Sequence, residues 1–83
     1  MFPSDTQRLT EADITGLSKY DLDLLRNEIY ARKGYVFTNK SMKKYFESQS
    51  WYTPNPSANI ALSEIEKYNV DLIVQYQKEQ GWL

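Results

Sequence analysis

The 83-residue sequence contains no cysteine and no histidine. Without cysteine, the chain forms no disulfide and offers no thiolate to a zinc ion, an iron–sulfur cluster or a nucleophilic reaction. Without histidine, it has neither an imidazole metal ligand nor a Ser-His-Asp triad. The sequence also lacks the run of about 18 apolar residues that a membrane-spanning helix requires.

Glycine and proline are scarce, at three residues each, whereas aromatic residues make up 14% of the chain. A chain of this size buries only about 60–65% of its unfolded surface, so its core is thin. Large rings bury roughly 150–250 Å² each and can build a core from few residues. We therefore expect one domain over residues 1–83, with a core over about 10–82. The start, Met1 to Ser4, shows no signal-peptide pattern, and we expect a piece of a longer protein.

The net charge of -1 conceals an uneven distribution. Residues 26–44 contain six basic residues and one acidic residue, for a net charge of +5, and each flanking segment carries -3. The basic segment either pairs with its own flanks or forms a surface that faces an anion.

The spacing of apolar and capping residues predicts a small all-α domain. A short helix begins after Thr10 and ends before Gly16, and a long one runs from about Lys19 to Arg32. Within the long helix, one apolar stripe holds Leu22, Leu25 and Ile29, and a nearly opposite stripe holds Tyr20, Leu24 and Ala31. Two opposed stripes predict a central helix that is buried on two faces.

Gly34 follows the central helix and predicts a left-handed C-terminal cap, with Tyr35 packed back on the last turn. Residues 35–37 are apolar enough to be buried. A third helix begins near Thr38 or Asn39, and a proline-containing loop covers residues 54–61.

The last helix follows the capping box Ser63-Glu-Ile-Glu66 and runs from about Glu64 to Gln80. Gly81 ends it, and Trp82 can pack back on Tyr76. Helical spacing predicts a buried stripe of Ile65, Tyr68, Leu72, Ile73 and Tyr76. The predicted fold therefore has three main helices and a short N-terminal one.

The run from Leu25 to Tyr35 resembles the signature of the YARHG domain, a bacterial family named for Tyr-Ala-Arg-His-Gly. The resemblance extends over about Thr10 to Tyr76. It implies a structural signature of Arg26, Asn27, Glu28, Tyr30, Gly34, Phe46 and Trp51. It also implies an extracellular module without enzymatic activity, found beside peptidase and kinase domains in envelope proteins. The family's histidine is Lys33 here, so a role that depends on imidazole is not expected.

No constellation in the sequence predicts catalysis, a cofactor or a metal. Asp21 and Asp23 are two residues apart on a helix and point in different directions, and Glu64 and Glu66 belong to a cap. There is no glycine-rich phosphate loop either. We therefore expect a protein that is not an enzyme.

Two surfaces are candidates for binding: the basic segment, and a groove lined by aromatic rings for a sugar or a peptide. The candidate residues are Arg32, Lys33, Tyr35, Lys40, Lys43, Lys44 and Tyr52. Trp51 is expected in the core. Glu28 and Arg32 are four residues apart and can pair along the helix. A half-buried Arg26, Asn27 or Arg32 is expected to bond a backbone carbonyl or a carboxylate from a neighbouring loop, and the alternative is a polar recognition site at the end of the central helix.

The lysines suit an anionic wall polymer or acidic lipid headgroups better than nucleic acid, because the pI is about 5.3. We expect a module that binds a cell-envelope component. The alternative is a protein–protein interaction or spacer domain with no ligand of its own.

Overall fold

The computed structural model describes residues 6–83, so the observation on Met1 to Ser4 lies outside it. That part of the chain contains four helices and no strand. They are α1 (Glu11–Ile14), α2 (Lys19–Ala31), α3 (Lys40–Glu47) and α4 (Glu64–Glu79). The all-α prediction is confirmed. Within residues 6–83, no helix has the length and apolar character that crossing a bilayer demands.

Each helix begins where the sequence predicts, and α3 is capped by Asn39, one of its two candidate starting residues. Thr10 and Ser63 form capping boxes with Asp13 and Glu66, and Ser18 accepts a hydrogen bond from the backbone N–H of Asp21. The side chain of Asn39 accepts from two backbone N–H groups at the start of α3. These bonds satisfy donors that a helix leaves unpaired at its first turn.

The ends of α2 and α4 share one geometry. The N–H of Tyr35 donates to the carbonyl of Tyr30, and that of Trp82 donates to the carbonyl of Gln77. In between, Gly34 and Gly81 take left-handed conformations with φ of +89° and +75°. This is the Schellman arrangement. The predicted folding back is confirmed, because ring centroids lie 6.1 Å apart for Tyr30–Tyr35 and 6.2 Å apart for Tyr76–Trp82.

Helix α2 is central and separates two clusters of buried side chains. The first cluster lies between α2 and α4 and consists of Leu9, Ile14, Leu22, Leu25, Ile29 and Ile73. The second lies towards α3 and consists of Ala31, Phe37, Met42 and Phe46, with Leu24 packed against it. Burial of α2 on two faces is therefore confirmed. Tyr20 does not follow its stripe, because it lies at the start of the helix and is exposed.

The buried stripe of α4 is more polar than predicted. It consists of Glu66, Asn69, Ile73 and Gln77, whereas Tyr68 is 45% exposed and stacks with the guanidinium of Arg8. Of the other residues in the predicted stripe, Ile65, Leu72 and Tyr76 are half-buried. The prediction failed because a polar side chain can be buried when its partners come from other segments.

Two further predictions about burial are wrong. Tyr35 and Val36 are exposed, at 42% and 41%, and only Phe37 of that segment enters the core. Trp51 is 36% exposed, because it meets the edge of the second cluster at Phe46, with ring centroids 6.0 Å apart, and does not enter it.

Candidate functional site

Three polar connections tie α4 to the rest of the domain. We call them the polar ties: the ion pair of Lys33 with Glu66, the contacts of Gln77 with Arg26 and Asp23, and the contacts of Asn69 with residues 7 and 9. All three α4 members are buried. Because a buried polar group without a partner costs about 1–3 kcal/mol, these connections restrict how α4 can sit on α2.

The buried carboxylate of Glu66 is stabilised by its partners. Burial would raise the pKa of its carboxyl group, but hydrogen bonds from Ser63 and the ammonium of Lys33 more than offset this, so the pKa lies below its usual value. The Lys33 Nζ lies 2.9 Å from the Glu66 Oε1. Lys33 therefore acts across the domain, as the partner of a buried carboxylate.

Arg32 and Glu28 form a second ion pair, along α2 itself. Both side chains are almost buried, at 13% and 11% exposure. The half-buried arginine bonds a carboxylate, as the sequence predicts. Arg32 and Lys33, two residues of the candidate binding surface, thus have intramolecular partners that hold the end of α2 in place.

Gly34 is buried against the loop that follows α3. Its carbonyl accepts a hydrogen bond of 2.8 Å from the N–H of Asn55, and a Cβ at this position would lie 3.2 Å from the Thr53 carbonyl oxygen. The glycine is therefore required both by its left-handed φ and by the close approach of another backbone. The predicted left-handed cap is confirmed.

A cleft opens on the face of α2 that carries Arg26 and Asn27. We call it the polar cleft; it has a volume of about 250 Å³ and is lined by Asp23, Arg26, Asn27, Tyr35, Phe37, Thr38, Asn39 and Met42. A neighbouring depression extends it over Tyr30. The structure thus brings the signature residues Arg26, Asn27 and Tyr30 together with the candidate residue Tyr35.

The polar side chains of α2 in this cleft are held by internal bonds. Arg26 Nη1 donates to the Gln77 Oε1 at 2.9 Å, and Gln77 Nε2 donates to the Asp23 Oδ1 at 3.0 Å. Asn27 Nδ2 donates to the backbone carbonyl of Asp23 at 2.7 Å. Asn27 thus bonds a backbone carbonyl, as expected, whereas Arg26 bonds a side-chain amide on α4 that the sequence did not predict. Both bonds fix the side chains in place without a ligand.

Tyr35 stands at the edge of the cleft with its backbone held on both sides. Its N–H donates to Tyr30, and its carbonyl accepts a hydrogen bond of 2.5 Å from the Tyr52 hydroxyl. Burial, and secondarily the Glu47 carboxylate, raises the pKa of Tyr52 above its ordinary value, at which the hydroxyl is already a protonated donor at neutral pH. Tyr52 therefore helps to hold the backbone of Tyr35 in place.

A second depression that Tyr35 lines is more apolar. A groove of about 420 Å³, here called the apolar groove, is lined by Tyr35, Val36, Thr38, Asn55, Pro56, Ala58 and Ile60. Tyr35 and Thr38 therefore border both the polar cleft and the apolar groove.

Lys40, Lys43 and Lys44, here called the lysine face, lie exposed on α3. No ion pair within residues 6–83 involves them. Lys44 lies with Tyr20 and Tyr45 in a separate depression of about 310 Å³. The structure thus divides the surface predicted from the sequence into three parts. Tyr35 lies at the cleft with Tyr52 bonded to its carbonyl, Arg32 and Lys33 form internal ion pairs, and the lysine face lies on α3.

Comparison with family models gives a match to the YARHG domain over residues 1–78. The chain belongs to the YARHG domain family. The comparisons with curated proteins and with solved structures find no match. The signature of this YARHG domain serves two purposes: Glu28, Arg32, Lys33 and Gly34 hold the end of α2, while Arg26, Asn27 and Tyr30 line an open cleft.

Sequence reasoning missed five residues of the polar cleft, namely Asp23, Phe37, Thr38, Asn39 and Met42. Asp23 had a usable signal, because it lies three and four residues before Arg26 and Asn27 and shares their helix face. The other four come from the segment after Gly34. Only the reversal of the chain at that glycine brings them opposite α2.

Proposed function

We propose that this YARHG domain is a non-catalytic, extracellular module that binds a component of the bacterial cell envelope at the polar cleft. The observation that carries the proposal is the convergence of Arg26, Asn27, Tyr30 and Tyr35 on one open depression. Concave sites with a few fixed polar groups and exposed rings are typical of ligand recognition. The family resemblance supports the extracellular setting.

A non-catalytic role is supported by how the acidic residues are used. Glu28, Glu66 and Asp23 each contact a cationic or amide side chain that holds α2 or α4 in place. Within residues 6–83, no three acidic side chains come together in a way that would hold a metal ion. General acid–base chemistry needs a group whose proton is available to a substrate, and these carboxylates serve the fold.

The proposal is tested by co-sedimentation of the purified domain with cell-wall and membrane fractions of a bacterium that encodes it. Asn27→Ala and Tyr35→Ala are expected to reduce the bound fraction, whereas Tyr68→Ala, at an exposed tyrosine on α4, is expected to leave it unchanged. Failure of the unaltered domain to sediment with any fraction would contradict the proposal.

The lysine face is an alternative surface for binding the same cell envelope. If it carries binding, changing Lys40, Lys43 and Lys44 to Glu should abolish co-sedimentation, and binding to the unaltered domain should weaken steeply with salt. Unchanged binding of this triple variant would remove the lysine face from consideration.

The second candidate function is binding of a partner protein. The apolar groove supports it, because Val36 is 41% exposed and lies with Ile60 in that groove. Exposed apolar surface of this kind marks protein contacts. Under this alternative, Val36→Asp should abolish capture of the partner, while Asn27→Ala should have no effect.

A further inference from the structure

Tyr35 offers a fixed aromatic surface at the edge of the polar cleft. The residue is 42% exposed, and its ring packs against Phe37 in an edge arrangement, with centroids 4.9 Å apart. The backbone bonds to Tyr30 and Tyr52 hold the residue from both directions. A ring held in this way can receive the apolar C–H face of a sugar with little loss of side-chain entropy.

The polar side chains of the cleft retain unused hydrogen-bonding capacity. Within residues 6–83, the Asp23 Oδ2 and the Asn27 Oδ1 make no hydrogen bond, and Arg26 has N–H groups beyond the one bound to Gln77. A carboxylate, an amide and a guanidinium together provide acceptors and donors close to one another. Adjacent hydroxyl groups, each both donor and acceptor, match such a set.

The charge of the cleft favours an uncharged ligand. Asp23 and Arg26 are its two ionised side chains, and their charged atoms lie 3.7 Å apart. The two charges largely compensate each other, so neither an anion nor a cation gains much by entering. The lysine face lies on α3, outside the cleft lining.

We infer that the polar cleft binds one pyranose ring of a neutral polysaccharide, with a sugar face on Tyr35 and hydroxyl groups on Asp23, Arg26 and Asn27. The inference rests on the proposed function, for which it specifies the ligand class. The cleft volume of about 250 Å³ lies just below the range of about 300–1,000 Å³ for drug-sized ligands, which suits a single ring.

The test is a titration of the ¹⁵N-labelled domain, followed by NMR, with three tetrasaccharides. Two are neutral, built of N-acetylglucosamine or of glucose, and the third is a galacturonate oligomer with one carboxylate on each ring. We expect saturable shifts for at least one neutral probe, centred on residues 23–39. Its affinity should stay constant as the salt concentration rises, because no net charge is neutralised.

Matched variants distinguish the contribution of the Tyr35 ring to affinity from that of the polar contacts with the sugar hydroxyl groups. Tyr35→Ala is expected to weaken binding of the neutral probe by about tenfold, while Tyr35→Phe, which keeps the ring, stays within about threefold. Asn27→Ala removes a polar contact and is also expected to weaken binding. It tests the inference independently if Tyr35→Ala does not fold. Tyr68→Ala and the triple lysine-to-glutamate variant are the controls, and their affinity should be unchanged.

Failure of the inference can be distinguished from failure of the proposed function. If neither neutral probe binds, or if Tyr35→Ala and Asn27→Ala bind them normally, the inference is overturned. Co-sedimentation with envelope fractions would still test the broader function independently. Binding of only the galacturonate probe, with strong salt dependence and loss in the triple variant, would overturn the inference in favour of the lysine face.

Discussion

The two sides of α2 are joined to their neighbours in different ways. Towards α4, an aliphatic cluster is accompanied by the polar ties, whose buried members are Glu66, Asn69 and Gln77. Towards α3, the contact is an aromatic cluster around Phe46, whose ring lies 4.8 Å from that of Phe37. Polar bonds are directional and fix one arrangement, whereas ring packing is broad and tolerates small shifts. The α4 side therefore combines buried apolar area with polar bonds that specify position, whereas the α3 side relies on apolar packing.

The largest expected effect comes from removing the ring at the centre of the aromatic side. Phe46 is fully buried, so Phe46→Ala should destabilise the domain by about 3–5 kcal/mol. Urea denaturation followed by circular dichroism measures the change. Phe46→Leu, which keeps most of the apolar volume, should cost less than about 1.5 kcal/mol. Equal losses for the two variants would show that ring shape, and not area, holds α3.

Substitution of the two capping glycines compares the end of α2, at Gly34, with the end of α4, at Gly81. Gly81→Ala should cost about 1–2 kcal/mol through its left-handed φ alone, because no atom lies within 4 Å of the added Cβ. Gly34→Ala should cost at least about 1 kcal/mol more, since its Cβ would crowd Thr53 and Asn55. Thermal and urea unfolding of both variants give the difference. Equal destabilisation would mean that the loop after α3 moves freely.

The Lys33–Glu66 tie tests the polar side. Lys33→Met leaves a carboxylate that is 2% exposed without its cation and should cost about 1–3 kcal/mol. Adding Glu66→Gln should recover part of that loss, because the buried charge is removed. A double-mutant cycle measured by urea unfolding isolates the coupling. Additive effects of the two substitutions would show that the pair does not act as a unit.

The same tie gives the domain a pH dependence of defined sign. The pKa of Glu66 is lowered in the folded domain. Its stabilising contribution is therefore complete above the unfolded value of about 4.3 and is lost as the pH falls through the lower folded pKa. Stability measured between pH 2 and pH 7 should show this loss, and Glu66→Gln should reduce it. The same acid dependence in the variant would assign the effect to other carboxylates.

The smallest effect is expected from restoring the residue in the family's name. In Lys33→His, the Glu66 carboxylate should raise the pKa of the imidazole above about 6.5. The ion pair is then fully present below that pH and is lost as the pH rises through the raised value. Unfolding between pH 5 and pH 9 should reveal a new fall in stability of roughly 1 kcal/mol. A flat profile would show that position 33 needs length as well as charge.

Local signals predicted the helix boundaries of this domain well. The caps at Ser18 and Ser63 and the ends at Gly34 and Gly81 depend on bonds between residues at most five apart. The burial of α4 could not be predicted in the same way. Apolar spacing assigned Tyr68 to the core, yet Asn69 is buried beside it because backbone groups of residues 7 and 9 reach its side chain.

The candidate site was predictable only in part, for the same reason. The run from Leu25 to Tyr35 identified Arg26, Asn27 and Tyr30 through the family resemblance, but not the cleft that they share. Its opposite wall comes from residues 37–42, beyond the chain reversal at Gly34. Arg32 and Lys33 were also predicted to lie on the binding surface, but both form ion pairs within the domain.

The sequence by itself determined the helices, their caps, the central place of α2 and the family, since these depend on periodicity and on contacts between near neighbours. The tertiary structure decided which polar side chains are buried and which face solvent. That outcome depends on partners far apart in the chain, such as Lys33 with Glu66 or Arg26 with Gln77. A polar side chain is stable in the core only where it has a hydrogen-bonding or charged partner, and the packing of the helices decides where such partners lie.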